Sequence, residues 1–142
     1  MKPAGESWRI RAAIDHGALR HNATAVRKAV GDKPGLIAVV KADGYGHGGP
    51  EVAQTLAPFA AQFGVATLEE ASAVRAVVPE KDLLILSPCL PEEREAAVRE
   101  GFISVVSSTA EAKAYARLVQ GKTARIHLCV DTGMGRIGVW QD

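Results

Sequence analysis

The sequence predicts an α/β fold built on a parallel sheet. Three observations predict it. Short strands that are apolar on both faces recur along the chain, and segments of helical periodicity separate them. The strand starts, near 36, 62, 83, 102 and 124, also keep a steady pitch of about 22 residues. Strands without a polar face are covered on both sides, as in parallel sheets whose right-handed crossover helices pack against them. The segments show no sequence self-similarity, so the pitch is structural and not that of a repeat family.

The elements follow in order. "WRIRAAI" (8–14) reads as a strand. Asp15 then suits a helix N-cap, and Leu19, Ala23, Val26 and Val30 form one helical face that Gly31 can close. "LIAVV" (36–40) is a fully apolar strand, followed by four glycines at 44, 46, 48 and 49. Pro50 stands near the start of a helix bearing Val52, Ala53 and Leu56. "QFGVA" (62–66) is a strand. Thr67 and Glu70 fit a capping box, with Leu68, Ala71, Val74 and Val78 on the inner face of the helix it starts. "LLIL" (83–86) is a strand, and Pro91 is expected to open a helix that closes near Gly101. "FISVV" (102–106) is a strand, Ser108 and Glu111 make a second capping box, and Ala112, Tyr115 and Val119 face inward. "ARIHLCVD" (124–131) is the last strand.

Composition narrows the function classes. The chain has 142 residues, 47% hydrophobic and 23% charged, which suits one globular unit with a sizeable core. Its 17 basic and 16 acidic residues leave a formal charge of +1, so nothing electrostatic points to nucleic acid or an anionic membrane. No apolar run approaches the roughly 18–20 residues of a membrane span, and "MKPAGESWRI" lacks the apolar stretch of a signal peptide. Cys89 and Cys129 stand far apart and show no metal-type spacing with histidine. They read as free thiols, and the cytoplasm is the expected compartment.

Strand order cannot be read from the pattern. No G-x-G-x-x-G follows the first strand, which argues against a dinucleotide-binding sheet. A (β/α)8 barrel at this pitch would need three more units, roughly 66 residues, beyond Asp142. Five units alone leave two bare edges, so the chain is expected to be part of a larger protein.

Side chains at the carboxyl ends of parallel strands line the sites of such folds. Lys41 stands there, directly after "AVV", among apolar neighbours that partly desolvate it. A neutral amine at such a place can form a Schiff base with a carbonyl compound. Taken alone, Lys41 also suits a strand-end lysine reaching solvent, with the glycines making a turn. Tyr45 suits a surface-loop aromatic and His47 a helix start. A second glycine-rich loop, "DTGMGRIG" (131–138), also follows a strand and carries Arg136, whose planar fork matches a carboxylate or phenolate oxygen. Two such loops on one face favour a site. Asp131 is expected to hold the second loop by accepting backbone N–H bonds, and Met134 to be a packing residue. His21 reads as a surface residue. His127 and Cys129 share a strand face but lack a third ligand, so no metal is expected. Cys89 reads as a plain loop thiol.

"AVVKADGYGHG" and "HLCVDTGMGRIG" resemble the two N-terminal signatures of alanine racemases, enzymes that use pyridoxal 5′-phosphate (PLP). "RAAIDHGALRHNATAVR" (11–27) is similar to that family's first strand and helix. The resemblance runs from about Trp8 to the end. It implies that residues 1–142 are the N-terminal part, about five βα units, of a TIM-type barrel, with the rest of the barrel and a C-terminal β domain lying beyond them. It assigns Lys41 as the lysine that holds PLP and serves as base on one face of the substrate α-carbon. It further assigns Tyr45 to the cofactor phosphate, Arg136 to the phenolic oxygen and the substrate carboxylate, and Val39 and Leu86 to the cofactor pocket.

The implied activity is interconversion of L- and D-alanine, supplying D-alanine for peptidoglycan, by a homodimer acting on a small amino acid. The second base would be a tyrosine of the partner's C-terminal domain, so this chain alone is expected to show little or no turnover. A non-catalytic PLP-binding barrel of cofactor homeostasis is the alternative. One departure stands out. Cys129 occupies the place where many members carry a carbamylated lysine that pairs with the arginine, and cysteine cannot carry a carbamate. Arg136 is therefore expected to be held by an anion, such as chloride, or by water.

Overall fold

Asp15 begins the first regular element. Its backbone is extended, and its carboxylate accepts the N–H groups of Gly17 and Ala18 at 2.7 and 3.1 Å, pairing two of the amides that a helix N-terminus leaves open. The helix that follows, α1 (His16–Val30), ends at Gly31, where φ is 78° and the N–H returns to Arg27 O. The structure, a computed structural model, describes residues 9–119, 121 and 123–140. Along the chain come β1 (Ile37–Val39), α2 (Lys41–Gly46), α3 (Gly49–Leu56), β2 (Gln62–Val65), α4 (Leu68–Val77), β3 (Asp82–Pro88), α5 (Arg94–Arg99), β4 (Ile103–Val106), α6 (Thr109–Leu118) and β5 (Ile126–Leu128).

The five strands lie in the order β1-β2-β3-β4-β5, and every neighbouring pair is parallel. A doubly wound sheet reverses its order partway, whereas strands laid down in sequence make an arc of a barrel. Val39, Gly64, Leu84 and Ile103 stand abreast across four strands. The register shifts between Ile85 and Pro88, a local irregularity at the carboxyl end of β3.

The two faces of the arc carry different cores. Toward the helices, Phe63, Val65, Leu83 and Ile85 are essentially inaccessible and pack with Ala53, Ala71, Val74 and Val78. Burial of each large side chain there contributes about 1.5–3 kcal/mol. On the concave face Leu84, Ile103 and Val105 form a smaller cluster, joined by Leu86 and Cys129.

Four local expectations are corrected. The strand expected over 8–14 does not form at residues 9–14, which lie in no ladder, and Ile10 is 90% exposed. Among the described residues that segment joins no strand of the sheet; position 8 lies outside them. Pro91 does not open a helix. Glu93 closes a turn instead, donating its N–H to Leu90 O and accepting Leu90 N–H at 2.9 Å, so α5 starts at Arg94. The last strand is short, with Ile126 and Leu128 exposed at the arc's edge. The segment after β1 is not an open loop but α2, whose interior is a left-handed turn. Both capped helices start where expected: Thr67 Oγ1 accepts Glu70 N–H and Ser108 Oγ accepts Glu111 N–H, each at 3.2 Å.

Candidate active site

Lys41 leaves the sheet through Val40, which is buried and donates its N–H to Gly64 O at 2.8 Å. The chain then turns with the uncommon hand. φ is 51° at Ala42, 52° at Asp43, 61° at Gly44 and 55° at Tyr45, a turn of left-handed helix. Left-handed geometry costs an L-residue about 1–2 kcal/mol, and three of these four residues are not glycine.

Several bonds hold the turn. Gly44 N–H donates to Val40 O at 2.8 Å, Gly48 N–H to Asp43 O at 2.9 Å and Gly49 N–H to Asp43 Oδ1 at 2.7 Å. Ala42 N–H donates to Glu70 Oε1 at 2.8 Å. The buried glycines here serve the turn itself: a Cβ on Gly44 would stand 3.3 Å from the backbone of Gly49, so the two segments pack directly on each other.

The second loop hangs on Asp131, which is buried. Its Oδ1 accepts Gly133 N–H at 2.9 Å, and its Oδ2 accepts Gly135 N–H at 2.9 Å. These backbone donors, Gly133 first, hold its carboxyl below the usual value of 3.8. The loop closes through Asp131 N–H to Val139 O at 3.0 Å and Val139 N–H to Cys129 O at 2.9 Å. At Gly138, φ is 126° and a Cβ would come within 2.6 Å of Asp131 N, so only glycine fits. The expected role of Asp131 as holder of this loop matches the geometry.

Both loops open onto one cavity of about 790 Å3 at the carboxyl end of the concave face. Lys41 lines it from the β1 side and Arg136 from the β5 side. Leu84, Leu86 and Val105 supply apolar lining, while His127, Cys129 and Asp131 add polar groups. The volume lies within the roughly 300–1,000 Å3 of small-molecule and cofactor sites.

Of the five residues expected at a site, the structure brings Lys41, Leu86 and Arg136 together. Val39 and Tyr45 do not line the cavity. Val39 sits on the concave face of β1, where a Cβ on Gly64 would meet it at 3.4 Å, and Tyr45 is 61% exposed on the left-handed turn. Among the described residues no carboxylate pairs with Arg136. Cys129 is half-buried and its thiol donates to Ile137 O at 3.6 Å.

Met134 is no packing residue, being 77% exposed at the cavity rim. Cys89 is a free loop thiol just after β3, as expected, though a buried one. It lies buried in the helix-side core, 3.8 Å from Ser104 Oγ. Sequence reasoning missed His127, Leu84 and Val105 as lining. Period-two alternation was their available signal, since His127 pairs with Val105 and so shares its face. Among the described residues no cluster of possible metal ligands occurs, and no helix is long and apolar enough to cross a membrane.

The family model described as alanine racemase, N-terminal domain, matches residues 14–142. The chain belongs to the alanine racemase N-terminal domain family. It is 40% identical over 136 residues to an alanine racemase of Desulforamulus reducens, covering 94% of this chain and 37% of that protein. An alanine racemase of Pseudomonas syringae is 39% identical over 140 residues, covering 98% and 37%. The chain thus spans a little over a third of the length of these alanine racemases.

Solved structures agree. The crystal structure of alanine racemase from E. faecalis superposes with a TM-score of 0.83 at 33% identity, over 89% of this chain and 35% of that one. A histidine racemase from Leuconostoc mesenteroides gives 0.80 at 30% identity, over 88% and 34%. The fold is that of the N-terminal barrel portion of alanine racemases.

Proposed function

We propose that this chain is the cofactor-bearing part of a PLP-dependent amino-acid racemase whose substrate is alanine. The observation that carries the proposal is that Lys41 and Arg136, from loops at opposite edges of the sheet, line one cavity. The residues present suit PLP. A strand-end lysine is half-buried there, an apolar lining can cover a ring, and a guanidinium can meet an anionic oxygen. When bound, PLP supplies an electron sink for the charge left when the substrate's α-proton departs.

The chain's own residues supply part of the remaining chemistry. Lys41 Nζ would hold PLP through its aldehyde group and would exchange a proton with the substrate α-carbon on one face. Arg136 binds the substrate carboxylate and the cofactor's phenolic oxygen, an anion or water completing its partners. Leu84, Leu86 and Val105 keep water from the reacting carbon. Tyr45, four residues beyond Lys41 on the same turn, is assigned to the phosphate, and Val39 to the pocket wall. Proton return on the opposite face needs a second group. We assign it to residues beyond position 142, in the rest of the barrel and a C-terminal β domain of a homodimer partner, in the cytoplasm.

The test is a circular-dichroism assay of the protein expressed from its complete gene, loaded with PLP and given L- or D-alanine in separate runs. Convergence of both runs on the racemic mixture supports the proposal. Retention of each enantiomer alongside bound PLP contradicts it and favours a non-catalytic PLP carrier.

A further inference from the structure

Two helices of this fold begin with the same pattern, and one of them does more than cap. In α4 and α6 the N-cap hydroxyl accepts the N–H of the glutamate three residues on. In both, that glutamate reaches back past the N-cap to the residue before it. Glu70 Oε2 accepts Ala66 N–H at 2.7 Å, and Glu111 Oε2 accepts Ser107 N–H at 2.6 Å. There the likeness ends. The further bond of Glu111 is local, from Ser107 Oγ at 3.1 Å. Glu70 Oε1 instead accepts the N–H of Ala42, in the neighbouring βα unit, at 2.8 Å.

Ala42 directly follows Lys41, and its N–H belongs to the peptide plane that joins the two. An acceptor on that N–H fixes the plane, which restrains ψ of Lys41 and φ of Ala42 together. Ala42 is also the first residue of the left-handed turn and has no glycine freedom to excuse its φ of 51°. A charge-assisted bond to a carboxylate is of the strength needed to hold such a residue. The same carboxylate is anchored to the end of β2 through Ala66, so it ties the backbone beside Lys41 to the neighbouring strand.

We propose that Glu70 is a positioning residue for Lys41. Its carboxylate clamps the Lys41–Ala42 peptide and holds the left-handed turn from which the amine enters the cavity. The inference rests on the reading of Lys41 as the cofactor lysine, but half of its test does not.

The test uses the protein from its complete gene, with Glu70→Gln as the main variant. Glutamine keeps length and one acceptor oxygen but turns an N–H2 toward one of the two amides, so it cannot hold both. Glu70→Asp, one methylene too short to span them, is measured beside it in case the first does not fold. Thr67→Ala weakens the same helix end and leaves the carboxylate in place. Glu111→Gln is the matching change at α6.

The first readout is hydrogen exchange of the 41–48 segment in cofactor-free protein. The second is the rate at which PLP followed by borohydride labels Lys41. The Glu70 variants are expected to exchange this segment at least tenfold faster, and to label Lys41 at least tenfold more slowly. Thr67→Ala and Glu111→Gln stay within twofold of wild type in both. Unchanged exchange in the Glu70 variants overturns the clamp, as does an equal loss in Thr67→Ala, which would reduce the effect to helix capping. If wild type itself takes no label at Lys41, the functional reading fails while the exchange result still decides the clamp.

Discussion

Lys41 and Arg136 line the same cavity from opposite edges of the sheet. Lys41 follows β1 and Arg136 follows β5, and three strands lie between them. Each sits in a segment of unusual backbone. One is a left-handed turn tied to Asp43 and Glu70, and the other is a glycine loop tied to Asp131. Two separately braced loops aimed at one space are the structural basis for reading that space as an active site.

Asp131→Asn is expected to loosen the Arg136 loop. The carboxylate accepts the loop amides with both oxygens, and asparagine keeps only one acceptor. The pH dependence has a definite sign. A carboxyl held below its ordinary 3.8 stabilises the fold above that value and loses the contribution as pH falls through its folded pKa. Wild-type loop order should therefore hold near neutrality and be lost only in acid, as pH falls through the lowered folded pKa, below 3.8. NMR shifts of the Gly133 and Gly135 amides across a pH titration follow this directly. In Asp131→Asn the acid transition at these amides should be absent.

Gly138→Ala is expected to destabilise the protein by about 1–3 kcal/mol, because it forces a positive φ on alanine. The added carbon would also lie 2.6 Å from Asp131 N, so the closing pair between Val130 and Val139 must open. Thermal melts give the stability change, and KM for the amino acid should rise as Arg136 loses its place. An unchanged melting temperature would contradict this reading of the loop.

Arg125→Ala tests the other end of the arc. Arg125 grips Asp82 with two bonds of 2.8 and 2.7 Å and also reaches Gly101 O at 3.1 Å, bridging the starts of β5 and β3. The Asp82 bond raises the Arg125 pKa, and the guanidinium lowers that of Asp82. Both side chains are about half exposed, so solvent screens the pair, and its loss should cost about 0.5–1 kcal/mol in urea unfolding. Most of that difference should vanish at high salt.

The parallel α/β sheet was legible because burial imposes a pattern, whereas its barrel order was implied by the motif resemblance alone. Phe63, Leu83 and Ile85 are apolar since they lie between sheet and helices, and Asp15, Thr67 and Ser108 cap where their hydroxyls or carboxylate meet open amides. Lys41 and Arg136 were legible from two glycine-rich strand ends and the motif resemblance. The left-handed turn was not, because Ala42 gives no local signal for positive φ, and one of the bonds at the turn comes from Glu70, far along the chain. The second task of Glu70 was hidden for the same reason, since a capping box shows only its local bonds. The strand expected at 8–14 does not form at residues 9–14, because hydrophobic alternation does not reveal whether a strand is at hand to pair with.

Mapping the adduct decides whether the Lys41 amine captures the aldehyde of PLP. The protein from the complete gene is incubated with PLP, reduced with borohydride, digested and mapped by mass spectrometry, beside Lys41→Ala. The reduced adduct is expected on Lys41, and the variant, though folded, is expected to carry none. An adduct on another lysine with Lys41 unmodified, or equal labelling of the variant, would contradict it.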